Sequence, residues 1–318
     1  MYPFKFEKVF KEKIWGGRNL ETKLQMILPE SVNIGEAWEI SAHPNGMSVV
    51  ENGYLKGKTL AEIYKEYNRD LVGEKIYNEY GEIFPLLIKY LDINDKLSIQ
   101  VHPEDEYAMK HHKELGKSES WYIMEASDNA RLILGIKKDL TKEEFLRRAK
   151  DNDFSNMFEE KKVKKGDFID VNPGLVHASL EGSILIAEIQ ENSDITYRIY
   201  DFDREDNGTK RELHLERAAE VIKFDQDALI INSILQEGQM EKTLISKKHY
   251  TIKKLKITNK HCDYEHDSFI IYSILSGDGI IRWSDEKLSI GIGETILIPV
   301  KLAIEIEGNL EILRTIIE

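Results

Sequence analysis

The residues best placed to do chemistry lie in Leu97-Ser98-Ile99-Gln100-Val101-His102-Pro103. Alternation along a strand puts Ser98, Gln100 and His102 on one face and Leu97, Ile99 and Val101 on the other. A lone histidine is ordinarily a packed core residue, but three polar groups in register before a proline define a polar face that ends in an imidazole. In Gly116-Lys117-Ser118-Glu119-Ser120-Trp121-Tyr122, Lys117 and Glu119 alternate onto one face at the start of an apolar strand. A further imidazole, His177, follows Gly166-Asp167-Phe168-Ile169-Asp170-Val171-Asn172-Pro173-Gly174, which reads as a turn, a strand and a Pro-Gly turn. Gln100, His102, Glu119 and His177 thus offer two imidazoles, a carboxylate and an amide oxygen from three strands. That set suits Zn²⁺, which takes nitrogen and oxygen ligands and keeps room for water or substrate. The single cysteine, Cys262, excludes an internal disulfide and any multi-thiolate site.

These residues need a rigid frame, and the sequence supplies strands. Short apolar runs such as Ser183–Ile189 and Thr295–Ile298 recur between glycine, proline and aspartate. Helical spacing is confined to about 59–80, 141–150 and 212–222, and Thr141 three residues before Glu144 forms a capping-box pattern. A second glycine-acid-strand-proline segment, Gly293-Glu294-Thr295-Ile296-Leu297-Ile298-Pro299, parallels the one before His177. Both look like the motif of cupins, which are jelly-roll barrels. Four residues beyond the proline, the first copy has His177 and the second Ala303. The expectation is a mainly β protein of two cupin-like jelly-roll lobes with helical insertions. Residues 1–230 form the ligand-bearing lobe, and 231–318 form a lobe without metal ligands. Asp225–Gln239 is the linker region, within which Leu229-Ile230-Ile231 can also be a strand.

The chain has 318 residues and a net charge of −13. That charge argues against broad nucleic-acid binding, which needs a basic face. No apolar run reaches the ~18–20 residues of a membrane span, and the N-terminus lacks the pattern of a secretory signal. A cytoplasmic protein is expected.

The chain resembles the type I mannose-6-phosphate isomerases. The resemblance runs through Ile14-Trp15-Gly16-Gly17, Gly35-Glu36-Ala37-Trp38-Glu39, the Ser98–Pro103 and His177 segments, and Asn192-Ser193-Asp194-Ile195-Thr196-Tyr197-Arg198-Ile199-Tyr200-Asp201. It implies one zinc per chain on Gln100, His102, Glu119 and His177, a catalytic Arg198, substrate contacts from Ser98 and Lys117, and active-site positions for Lys89 and Glu188. The implied reaction interconverts mannose-6-phosphate and fructose-6-phosphate through an enediolate. Glu188, Asp194, Lys89 and Lys117 all stand open as proton carriers. Gly116 occupies a position that is histidine in many longer relatives, and the phosphate end of the site is assigned to Lys210 or Arg211. Two other classes compete. A cupin oxygenase usually presents His-x-His, where this chain has Gln100-Val101-His102; a non-catalytic sugar-binding double cupin needs no full ligand set.

Overall fold

The computed structural model of the protein describes residues 1–206, 208–264 and 266–318. Two antiparallel sheets build the first lobe. The larger runs Leu229–Asn232, Asp167–Val171, Glu119–Ala126, Ile184–Glu191, Leu86–Ile93, Ile34–Ile40, Val9–Gly17. The smaller runs Tyr197–Tyr200, Ile99–Val101, His177–Glu181, Arg131–Ile136, Phe158–Lys162.

Strand alternation decides what each face meets. Between the two sheets lie Leu91 and Ile93, Trp121 and Ile123, Ile169 and Val171, Ile184 and Ile186, facing Leu132 and Leu134. The same inward register carries Lys89, Glu119 and Glu188, so the strands that fill the barrel also bring polar groups to its open end. Residues of opposite parity on the small sheet, Ile99, Val101, Ile133 and Ala178, pack outward on Phe145, Ala108 and Ala218 of the helices Lys142–Lys150, Asp105–His112 and Leu215–Val221. On the large sheet, Ile88, Tyr90, Tyr122, Met124 and Ala187 face outward into a core shared with the second lobe. Ile186 is fully buried in the barrel, and Ile186→Ala should cost roughly 2–5 kcal/mol through lost burial and the cavity left behind. A urea midpoint that moved by less than about 1 kcal/mol equivalent would show the barrel core to be loosely packed.

The second lobe is a sheet ordered Glu241–Lys247, Tyr250–Ile257, Ile304–Ile316, Ile270–Trp283, Glu286–Gly291, with Lys260–Asp263 and Thr295–Ile298 pairing onto the two longest strands. The mainly β, two-lobed cupin architecture read from the sequence is the one observed. Chain ends cross between the lobes: Phe4 and Leu297 exchange backbone hydrogen bonds at 2.8 and 3.0 Å.

Several elements differ from expectation. The 59–80 helix is three short ones, Leu60–Tyr67, Arg69–Val72 and Glu74–Tyr80, because Asn68 and Gly73 both take positive φ. The full capping box sits at Thr59 and Glu62, while at Thr141 the Glu144 N–H donates to the hydroxyl. Helices Asn19–Leu24 and Asp105–His112 were not expected; the latter buries only Ala108, so it has almost no apolar period to read. Leu229–Asn232 pairs with Asp167–Val171, so a boundary at 230/231 falls inside a strand of the first lobe. No helix among the described residues is long and apolar enough to cross a membrane.

Candidate metal centre and active site

Three buried side chains meet at one end of the first barrel. His102 ends the strand Ile99–Val101, His177 opens its neighbour, and Glu119 comes from the facing large sheet. The turn before His177 is tied to the His102 segment, since the Gly174 N–H donates to the His102 carbonyl at 2.9 Å. Gly174 has φ +90°, and a Cβ there would meet the Lys223 side chain at 2.7 Å, so this turn needs glycine.

Each imidazole is oriented from behind. His102 Nδ1 lies 2.8 Å from the Ile195 carbonyl, and His177 Nδ1 lies 2.9 Å from that of Leu175. Nδ1–H therefore donates outward in both rings, and each Nε2 lone pair faces inward. There His102 Nε2 is 3.6 Å and His177 Nε2 3.4 Å from Glu119 Oε1. His102 Nε2 and both Glu119 carboxylate oxygens are buried without a hydrogen-bond partner. His102 Nε2 and Glu119 Oε1 converge without a proton between them, a costly arrangement that a cation resolves. Gln100 completes the set: its amide nitrogen lies 3.2 Å from His177 Nε2, and turning the amide over presents Oε1 instead. The donor set fits a zinc-type ion.

Electrostatics divide the neighbouring groups by role. Burial, then the Lys117 ammonium, holds His102 down to about 3, and burial also lowers His177. Both rings are therefore neutral ligands at physiological pH. Burial alone would raise Glu119, but the Lys117 ammonium leads the neighbours that outweigh it and hold the carboxylate ionised. Lys117, 3.2 Å from Glu119, is disfavoured as a cation by burial, yet Glu119, Glu188 and Asp194 reverse that and raise it. It is a fixed ammonium, which removes it as a base. Asp194 is likewise pushed up by burial but held below its usual range by Lys89, Lys117 and a hydrogen bond from Asn45. Glu188 behaves differently. Burial and the Glu119 charge push it up to about 7, while it accepts from Trp121 Nε1 at 3.0 Å and faces Lys89 at 3.7 Å.

These groups open onto a cavity of about 290 Å³, lined among others by Lys13, Glu36, Lys89, Ser98, Gln100, Lys117, Glu188, Asp194, Arg198 and Arg211. Arg198 lies beside Gln100 in the sheet, donates from Nε to Ser98 Oγ at 3.3 Å and from Nη1 to the Glu212 carbonyl at 3.0 Å. Neither Asp194 nor Asp201 pairs with it directly; Asp201 is held by Arg204 and Arg211. The structure thus brings together every residue expected at the site except Lys210, which sits on an exposed hairpin paired with Asp203 at 2.8 Å. Lys210 is excluded from the cavity because Thr209–Lys210 turns back on Glu205–Asp206. Gly116 also gains a reason: a Cβ would lie 2.5 Å from Asp105 N and 3.0 Å from the Pro103 carbonyl, so no larger side chain fits against this helix start.

Trp121, Lys13 and Glu36 were not anticipated as site residues. Trp121 could have been found from the inward register it shares with Glu119. Glu36 accepts from Trp38 Nε1 at 2.7 Å and pairs with Lys13 at 3.0 Å, a link formed between two strands distant from the ligand motif.

A double cupin with nitrogen and oxygen donors gathered in one barrel, beside a cavity lined by three lysines and two arginines, defines the class as a cupin with a candidate metal centre. The chain matches the phosphomannose isomerase type I catalytic domain over residues 3–159 and the mannose-6-phosphate isomerase cupin domain over residues 240–317. It is 39% identical to the probable mannose-6-phosphate isomerase GmuF of Bacillus subtilis, covering 98% of both chains, and 38% identical to the mannose-6-phosphate isomerase of Streptococcus mutans over 98% of this chain and 97% of that one. Its structure superposes on the crystal structure of the Bacillus subtilis mannose 6-phosphate isomerase with a TM-score of 0.88 at 34% identity, covering 99% of each. The chain belongs to the type I mannose-6-phosphate isomerases, an enzyme family of the isomerase class.

Proposed function

We propose that the protein interconverts mannose-6-phosphate and fructose-6-phosphate, with one zinc ion held in the first barrel by Gln100, His102, Glu119 and His177. The observation that carries this reading is the convergence of partnerless acceptors on His102 and Glu119 beside a carboxyl that titrates near neutrality. A bound zinc supplies Lewis acidity toward the sugar's oxygens. The remaining chemistry belongs to the chain. Ser98, Lys89 and Lys117 hold sugar oxygens, and Arg211 with Arg198 forms the cationic end for phosphate. Glu188 takes the proton from C2 of the open-chain aldose and returns it at C1, while the hydroxyl proton passes from O2 to O1; a pKa near the working pH is favourable for the carbon-bound transfer. Arg198, always protonated, donates to the oxygen on which charge develops. Residues 1–230 carry this chemistry, and the rest of the chain supports it.

The test is turnover with mannose-6-phosphate alongside other aldose 6-phosphates, following ketose formation. Isomerisation of mannose-6-phosphate in preference to the others is expected; sugar binding without turnover would leave a binding protein in its place.

Glu188 also has a measurable stability signature. Its folded pKa of about 7 lies above the ordinary value of 4.5, so its charge costs stability above pH 7, and the cost is relieved as pH falls from about 7 to about 4.5. Glu188→Gln should therefore stabilise metal-stripped protein at pH 8 by on the order of 3 kcal/mol, with the gain gone near pH 4. Urea titrations at both pH values check this, and an unchanged difference would mean Glu188 is ionised at little cost.

A further inference from the structure

A second convergence of ligand atoms lies on the seam between the lobes, outside both barrels. Asp105 begins the helix Asp105–His112, Glu191 ends the strand Ile184–Glu191, and His249 sits in the turn between Glu241–Lys247 and Tyr250–Ile257. One ligand atom from each lies within 4.8 Å of the others.

The internal bonding of this cluster is incomplete in a particular way. Glu191 is 1% exposed, and its Oε2 accepts the Ser118 N–H at 2.9 Å. Its Oε1 is buried with no hydrogen-bond partner, although His249 Nδ1 lies only 3.0 Å away and is partnerless as well. The two atoms are in close contact, and neither has any further partner in this buried position. His249 Nε2 is 4.0 Å from Asp105 Oδ2, whose other oxygen accepts the Gly116 N–H at 3.0 Å. The resident cation is the Lys248 ammonium, 3.1 Å from Asp105 Oδ2 on a side chain 66% exposed. That long side chain can swing into solvent at little cost.

We propose that Asp105, Glu191 and His249 bind a divalent transition-metal ion of the zinc type across the seam, displacing Lys248. Two carboxylates balance a double positive charge, and an imidazole favours zinc over magnesium or calcium. The ion joins two segments of the first lobe to the second. Ala303 is exposed and speaks only for the second lobe's counterpart of His177, so it leaves this seam open to an ion.

The test is zinc stoichiometry by elemental analysis on full-length protein, stripped by chelation, reloaded with Zn²⁺ and desalted. Wild type should hold two ions, Glu191→Gln one, His177→Ala one, and the double variant none. Glu191→Gln keeps its shape and its acceptor for Ser118, and His249→Ala provides a second removal of the same ion. In the His177→Ala background, Co²⁺ should give a visible absorption band that Glu191→Gln removes. Glu191→Gln and His249→Ala proteins that hold as much zinc as wild type would overturn the proposal. A count lowered by Glu191→Gln but not by His177→Ala would instead overturn the barrel site and leave this one standing.

Discussion

Protein stripped of metal should lose turnover altogether and regain it on addition of one equivalent of Zn²⁺ to the barrel site. The expectation follows from the geometry of His102, His177 and Glu119. With both Nδ1 atoms committed to backbone carbonyls, the inward His102 lone pair and Glu119 Oε1 face each other with no proton between them, while the Lys117 ammonium sits at the other carboxylate oxygen. Such a set is preorganised for a cation and poor at anything else. Because burial and Lys117 keep His102 neutral down to about pH 3, zinc need not compete with protons for that ring at pH 5–7, and retention should be flatter with pH there than at an exposed histidine site. Glu119→Gln removes the only carboxylate among the four proposed ligands and should abolish zinc retention and turnover together. Full turnover in protein shown by elemental analysis to be metal-free would reject the mechanism.

Arg198→Lys should lower turnover by about 10²–10³ with a smaller change in substrate affinity. The side chain is fixed by Ser98 Oγ and the Glu212 carbonyl, not by a carboxylate. Its charge is therefore not neutralised by a direct ion pair, and burial with the nearby Arg211 slightly disfavours it. A lysine keeps the charge but cannot hold the two bonds and still reach substrate from a planar fork. The alternative role is phosphate recognition, and the two parameters separate the roles. If KM rose while kcat held, Arg198 would be a clamp for the phosphate, and the donor to the reacting oxygens would have to be sought at Lys117.

Much of this site could be read in the sequence because strand alternation is a local rule. Ser98, Gln100 and His102 face inward as a two-residue period requires, and Lys117 and Glu119 follow the same logic on the opposite sheet. The roles within the site were less legible. Glu188 and Asp194 are both acids near Arg198 in sequence, and only the surroundings separate them. Asp194 has Lys89, Lys117 and Asn45 near it, whereas Glu188 sits deeper, against Trp121 and the Glu119 charge. Those neighbours come from other strands, and no spacing along the chain encodes them. Lys210 shows the converse failure. Its place beside Arg211 suggested a shared role, but the pairing of Thr209–Lys210 with Glu205–Asp206 turns it outward to Asp203. Among the elements, the helix Asp105–His112 escaped for lack of an apolar face, and the break of 59–80 into three pieces depends on the backbone at Asn68 and Gly73.

The outward face of the large sheet sets a condition on how the chain is made. Ile88, Tyr90, Tyr122, Met124 and Ala187 lie in a core that the second lobe helps to cover, and Phe4 finds its strand partner at Leu297. During synthesis from the N-terminus, the first barrel can close once Leu229–Asn232 has emerged, but its cover is still unmade. At about 5–20 residues per second, the remaining stretch takes several seconds to appear. Throughout that interval the nascent protein carries an assembled metal cage on one side and a naked apolar wall on the other. Ribosome-bound chains long enough for Leu229–Asn232 to have emerged, yet lacking the second lobe, are accordingly the species most in need of a chaperone, and the last strand, Ile304–Ile316, is what ends that dependence.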